Sequence, residues 1–254
     1  MPVPSLTLAA AGLALLAQAG QPPAPHVPRA PVARHEGTVP AADLLAKVRH
    51  CAPVSHGRYR RDTGAPADIP VCGTAGAVFW KADLDIDCDG RPGRHCNRGT
   101  DPSFSGATAY PQSDGRPLSA ETLPYIVVPA PSRRWDHREH GVRGGSVAAV
   151  VHGGRVQYAV VGDIGPAGVI GEASYATAKG LGLRTNPRGG GAASGVTYIV
   201  FKNSKVTPIE NHAAAVEAGE RLARQFVEGT PAAERSRPTF RPLTSRRPRA
   251  GSPR

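Results

Sequence analysis

The chain has 254 residues, four cysteines and a formal net charge of +11. That charge invites a nucleic-acid reading, but residues 229–254 alone hold seven Arg against one Glu. The main domain between the first 50 residues and that tail carries a net charge of only +3 and no interleaved stripe of aromatic and basic residues, so the nucleic-acid reading is set aside.

Taken in order, Leu6 to Leu16 form an apolar core too short to span a bilayer, and Ala17-Gln18-Ala19 has the small-x-small form of a cleavage site. Residues 1–19 are therefore expected to be an export signal, although the n-region has no Lys or Arg. Residues 20–45 are rich in Pro and poor in large apolar side chains, which predicts a linker. A main domain over 46–228 and a disordered basic tail over 229–254 complete the expected organisation, with a short helix possible over Ala42 to Val48. About 180 residues suit a single domain.

Cys51, Cys72, Cys88 and Cys96 form an even set, which in an exported chain reads as two disulfides with three possible pairings. Closeness in sequence favours Cys51 with Cys72 and Cys88 with Cys96. No Cys-x-x-Cys is present, so a zinc site is not expected.

Gly76 to Trp80 is strand-like and leads into Asp83, Asp85, Asp87 and Asp89, followed by Gly90. The run from Asp85 opens like an EF-hand loop, but its twelfth position is Cys96 where a bidentate Glu is required, and calcium is the less favoured reading. Alternate residues of an extended segment share a face, so the carboxylates can instead line a groove for a polycationic ligand, Asp85 and Asp87 ahead of Asp89. Residues 101–123 read as a long irregular surface loop, and Tyr125 to Val128 as a strand closed by Pro129. Trp135 to His140 lacks the His-Glu-x-x-His order and reads as a solvated charged loop.

Val147 to His152 and Arg155 to Val161, joined by Gly153-Gly154, form a hairpin pattern. It delivers the chain to Asp163 at a strand's end. A loop with three glycines and a proline follows, then Glu172 at the start of a small-residue helix, Ala173 to Lys179. Such a pair can face each other across a small gap, the layout glycoside hydrolysis needs, where one carboxyl protonates the leaving oxygen and the other activates water or attacks. The plainer alternative is that Glu172 only complements a helix dipole. Val196 to Phe201 is a further buried strand, and Ile209 to Val227 a helix with Ile209, Ala213, Val216, Ala223 and Phe226 on one stripe.

Five segments, beginning at Lys81, Leu123, Gly162, Ile170 and Val196, together resemble the chitosanases of glycoside hydrolase family 75. The likeness runs from about Cys72 to Phe201. It implies secreted, endo-acting hydrolysis of chitosan with inversion, no cofactor or metal, and Asp163 and Glu172 as the catalytic pair. Asp85, Asp87 and Tyr175 are the expected substrate-binding residues. Gly162-Asp163-Ile164-Gly165-Pro166 is also similar to the corresponding segment of double-psi β-barrel proteins, so the expected fold is mainly β, a six-stranded double-psi-type barrel with one internal and one C-terminal helix. A monomer is expected, with chitosan as its partner and no membrane span. A non-catalytic or peptidoglycan-acting wall-binding barrel is the alternative. The apolar strand before Asp163 would raise its pKa and make it the general acid, while helix amides would favour the Glu172 anion and make it the base.

Overall fold

The computed structural model describes residues 36–229. The expected signal segment, most of the linker and the basic tail lie outside those residues. Described chain begins at Glu36, whose amide donates to the Val156 carbonyl and whose carboxylate accepts from the Tyr158 amide. Helix α1 follows at Ala41–Lys47.

Six strands close into a barrel. They are β3 (Ala77–Asp87), β4 (Tyr125–Pro129), β5 (Val147–His152), β6 (Arg155–Gly165), β7 (Glu172–Ser174) and β8 (Ala192–Phe201). Around the ring β3 runs parallel to β7, β7 antiparallel to β4, and β4 parallel to β6. β6 then pairs antiparallel with β5, β5 with β8, and β8 with β3, so that Ala77 lies opposite Phe201 and the ring has no open edge. The short β1 (Ala52–Pro53) and β2 (Cys72–Gly73) extend β3 on its outer side. The expected mainly β, six-stranded barrel is thus the fold observed, with α2 (Tyr175–Gly180) inside the chain and α3 (His212–Glu228) at its C-terminal end. Among the described residues no helix is long and apolar enough to cross a membrane.

β5 and β6 are nearly continuous apolar runs because both of their faces are covered. Val147 to Val151 and Val156 to Val161 are all buried, and the one polar residue among them, Gln157, donates its side-chain amide to Glu36. The Gly153-Gly154 turn has positive φ at both positions, 54° and 78°, as the hairpin pattern requires. Trp80 stacks on Tyr198 at 5.2 Å and meets Trp135 edge-on at 6.4 Å.

That last contact corrects the reading of Trp135 to His140 as a solvated loop. Trp135 and His137 are buried, the indole N–H donates to His140 Nδ1 at 3.0 Å, and only flanking charges such as the Asp136–Arg138 pair face water. The α3 stripe also differs from expectation. Ala215, Gly219 and Ala223 are the buried residues and Ala213 is exposed, because the helix lies directly on the Tyr158 ring: a Cβ on residue 219 would come within 2.4 Å of Tyr158 Cδ1. Small residues set that close approach, a requirement the spacing of larger apolar residues does not reveal.

Cys51 pairs with Cys72, and Cys88 with Cys96. The first ties the segment before β1 to β2, the second folds back the chain leaving β3. Both are the pairings that closeness in sequence favoured.

Candidate active site

The acidic run is not a loop but the second half of β3. Asp83, Asp85 and Asp87 are within the strand, and Asp89 lies just beyond it. In the parallel β3–β7 ladder Asp85 stands opposite Glu172 and Asp87 opposite Ser174. β4 separates β7 from β6, and its Val127 pairs with Asp163. Between Ile126 and Val127 the register slips, because β6 carries the extra residue Gly162 opposite them. Such a bulge increases local twist and re-aims the following side chain. Gly162 suits it, since a Cβ there would meet the Tyr125 side chain at 2.6 Å.

Asp163 is 7% exposed, and its Oδ1 accepts the amides of Ala109 and Ile164, both at 2.7 Å. Burial raises its pKa, and those two amides pull it back. Ala109 belongs to the stretch read from the sequence as a surface loop. It acts through its backbone N–H, so no side-chain signal could have identified it.

Glu172 opens β7 and stands two residues before Ser174, the N-cap of α2. It therefore lies outside the helix, and the amides expected to stabilise its anion serve Ser174 instead: the Ser174 hydroxyl accepts from Thr177 and Tyr125 and donates to Leu123. Burial, and then the neighbouring charges of Asp85, Asp89, Asp163 and Asp83, push Glu172 up to about 7. The expected rise at Asp163 is thus found, tempered by two amide donors, whereas Glu172 is raised by burial and crowding acids instead of being held as an anion by helix amides.

Gly165 leaves room for the Glu172 carboxylate. A Cβ on residue 165 would lie 2.8 Å from Glu172 Oε2, so this carboxylate occupies the space above a residue that has no side chain. Asp163 and Gly165 face the same side of β6, one two-residue repeat or roughly 6.6 Å apart. Glu172 and Asp163 therefore stand over neighbouring positions on the same side of β6.

Asp87, half-buried, accepts the Asp89 amide at 2.7 Å, and burial drives its pKa well up, with Asp163 and Glu172 adding repulsion. Asp89 is held by the Ser105 amide, and its carbonyl accepts the Tyr125 hydroxyl. Asp85 is exposed and points out beside Glu172. Tyr175 begins α2 at 8% exposure and stacks on His95 at 5.2 Å, so it is largely covered. Two carboxylate groups could hold a cation, each with its oxygens within 4.8 Å of one another: Asp87, Asp89 and Asp163, and Asp62, Asp83 and Asp85. Asp62 and Asp83 were not singled out from sequence. Asp83 had a signal in the alternation of the run, whereas Asp62 comes from a remote loop.

A closed barrel with a row of acids along β3 that meets a buried Asp and a crowded Glu defines the class: a β-barrel protein with a carboxylate-lined site. Residues 84–228 match the family described as fungal chitosanase of glycosyl hydrolase group 75, and the chain belongs to that family. It is 30% identical over 178 residues to endo-chitosanase C of Aspergillus oryzae, covering 66% of this chain and 44% of that protein. It is 32% identical over 149 residues to endo-chitosanase B of Aspergillus oryzae (strain ATCC 42149 / RIB 40), covering 52% and 62%. With an endo-chitosanase of Aspergillus fumigatus the identity is 34% over 123 residues, covering 44% and 49%. The chain spans about half the length of the curated relatives it matches.

Proposed function

We propose that the chain is a secreted, monomeric endo-chitosanase that hydrolyses β-1,4 bonds between glucosamine units with inversion, using Glu172 as general acid and Asp163 as general base. The single observation that carries this reading is the carboxylate of Glu172 seated over Gly165, one strand repeat from Asp163. Inverting glycosidases use a carboxyl separation of about 6.5 to 9.5 Å, and a pair placed over positions one strand repeat apart supports that mechanism.

In this mechanism Glu172 enters protonated, as a pKa of about 7 allows near neutrality. It gives its proton to the glycosidic oxygen as the C1–O bond breaks. Asp163, held as an anion by the Ala109 and Ile164 amides, takes a proton from the water that attacks C1 from the opposite face. Asp85 and Asp87 offset the ammonium groups of the substrate and the positive charge that develops on the ring. A bound ammonium lowers both pKa values, so the difference between the pair must persist through binding. Two disulfides accord with export.

Incubation of the purified chain with chitosan and, separately, with peptidoglycan tests the reading. Reducing ends from chitosan alone are expected. Release from peptidoglycan alone would favour a lytic barrel, and release from neither a binding barrel.

A further inference from the structure

Asp163 needs more than its own strand to aim it. The last torsion of an aspartate side chain is broad and roughly two-fold, so the plane of the carboxylate is set by the hydrogen bonds it accepts. Both of its donors, the amides of Ala109 and Ile164, go to Oδ1 at 2.7 Å. Among the described residues none donates to Oδ2, which leaves that oxygen for a water molecule. Ile164 follows Asp163 in β6 and brings its amide by adjacency. Ala109 comes from 54 residues away, and it is exposed, so its own side chain does not anchor it.

The backbone around Ala109 does not anchor it either. Among the described residues, 106–111 make no backbone-to-backbone hydrogen bond. Upstream, the chain is last tied down at Ser105, whose amide donates to Asp89 at 2.7 Å and whose carbonyl accepts the Gly90 amide at 2.9 Å. Gly106 and Ala107 then follow, both exposed. Thr108 supplies the missing bonds. Its hydroxyl donates to the Tyr110 carbonyl at 3.1 Å and accepts the Leu118 amide at 3.0 Å, so one side chain brackets Ala109 from both sides. Threonine hydroxyls take such local backbone bonds where no ladder is available. Leu118 is fully buried and its carbonyl accepts the Arg91 amide at 2.7 Å, so the bracket is fastened to the core. Thr108 Cγ2 lies over Gly90, 3.1 Å from where a Cβ on that residue would stand.

We propose that Thr108 is a positioning residue for hydrolysis: its hydroxyl holds the Ala109 amide against Asp163 Oδ1 and so turns Oδ2 toward the water that attacks the sugar. The proposal rests on the chitosanase reading, in which Asp163 is the base, and adds to it a residue that acts only through the backbone of its neighbour.

The test compares Thr108→Val, which keeps the shape and loses both hydrogen bonds, with Thr108→Ser, which keeps the hydroxyl. Because a misplacement of about 1 Å costs about 100-fold and the Ile164 amide still holds Oδ1, Thr108→Val is expected to lower kcat on chitosan by about tenfold. KM should stay within about twofold, and Thr108→Ser should recover kcat to within about threefold of the wild type. Amide hydrogen exchange reads the placement itself. In the wild type the Ala109 amide should exchange more slowly than that of Gly106, and in Thr108→Val about tenfold faster than in the wild type, with the β6 amides unchanged. An Ala109 amide as labile as Gly106 in the wild type overturns the proposal whether or not Thr108→Val folds. A loss of kcat that serine does not restore also overturns it. If the wild type cuts chitosan and folded Thr108→Val keeps its kcat, the positioning role alone falls; if the wild type does not cut chitosan, the chitosanase reading falls and takes the proposal with it.

Discussion

Gly165→Ala perturbs the site by a single methyl group. Gly165 is absent from the positive-φ positions, so alanine fits the backbone there, and reduced unfolded-state entropy would by itself stabilise by about 0.4 to 1 kcal/mol. The new Cβ would sit 2.8 Å from Glu172 Oε2 and 3.0 Å from Val127 Cγ1. Val127 is buried in β4 and paired with Asp163, so it cannot give way. Glu172 must therefore retreat by a few tenths of an ångström or change rotamer, at an overpacking cost of about 1 kcal/mol that nearly cancels the entropic gain. Because a misplacement of about 1 Å can cost about 100-fold in rate, this smaller shift is expected to lower kcat by about tenfold. Reducing-end release from chitosan gives kcat and KM, and calorimetry gives Tm. A fall in kcat with Tm unchanged within about 3 °C and KM nearly constant supports the placement of Glu172. Full kcat in a folded Gly165→Ala protein would refute it.

The pH dependence of kcat/KM follows from the same pair. Activity needs Glu172 protonated and Asp163 ionised, so it should fall as pH rises through about 7 and fall again on the acid side, above the ordinary aspartate range; a profile still rising at pH 8 would contradict the assignment. Asp83 is also pushed up to about 7 by burial and then by Asp85, so the folded state binds a proton that the unfolded state has released between about pH 4 and 7. Stability contributed by this protonated acid is lost as pH rises through 7, and Asp83→Asn should raise Tm at pH 8, by up to about 4 kcal/mol in stability, with little change at pH 4; equal shifts at both pH values would exclude titration as the cause. Selective reduction of Cys88–Cys96 should raise KM for chitosan more than it lowers Tm, because that bridge folds the chain just beyond Asp87; an unchanged KM would detach the bridge from the groove.

Much of the barrel was legible because its strands announce themselves. Val147 to Val161 is apolar apart from Gln157 and the His152 to Arg155 stretch that holds the two turn glycines, which leaves a buried hairpin as the natural reading, and the structure has that hairpin. Glu172 was harder. Three residues of β7 carry no period, so Glu172 merged in sequence with the helix that starts at Tyr175, and the roles assigned from the helix dipole followed that merger. The Asp83 to Asp87 alternation was visible, but its partners were not. Asp62 and the Ala109 amide reach the site from loops, and only closure of the barrel brings them there.

The central claim is tested most directly by following the anomeric proton signals while the purified chain digests fully deacetylated chitosan. The account predicts new reducing ends that appear first as the α-anomer and later equilibrate by mutarotation. β-anomer appearing first would contradict inversion, and no new reducing ends at all would contradict the chitosanase reading itself.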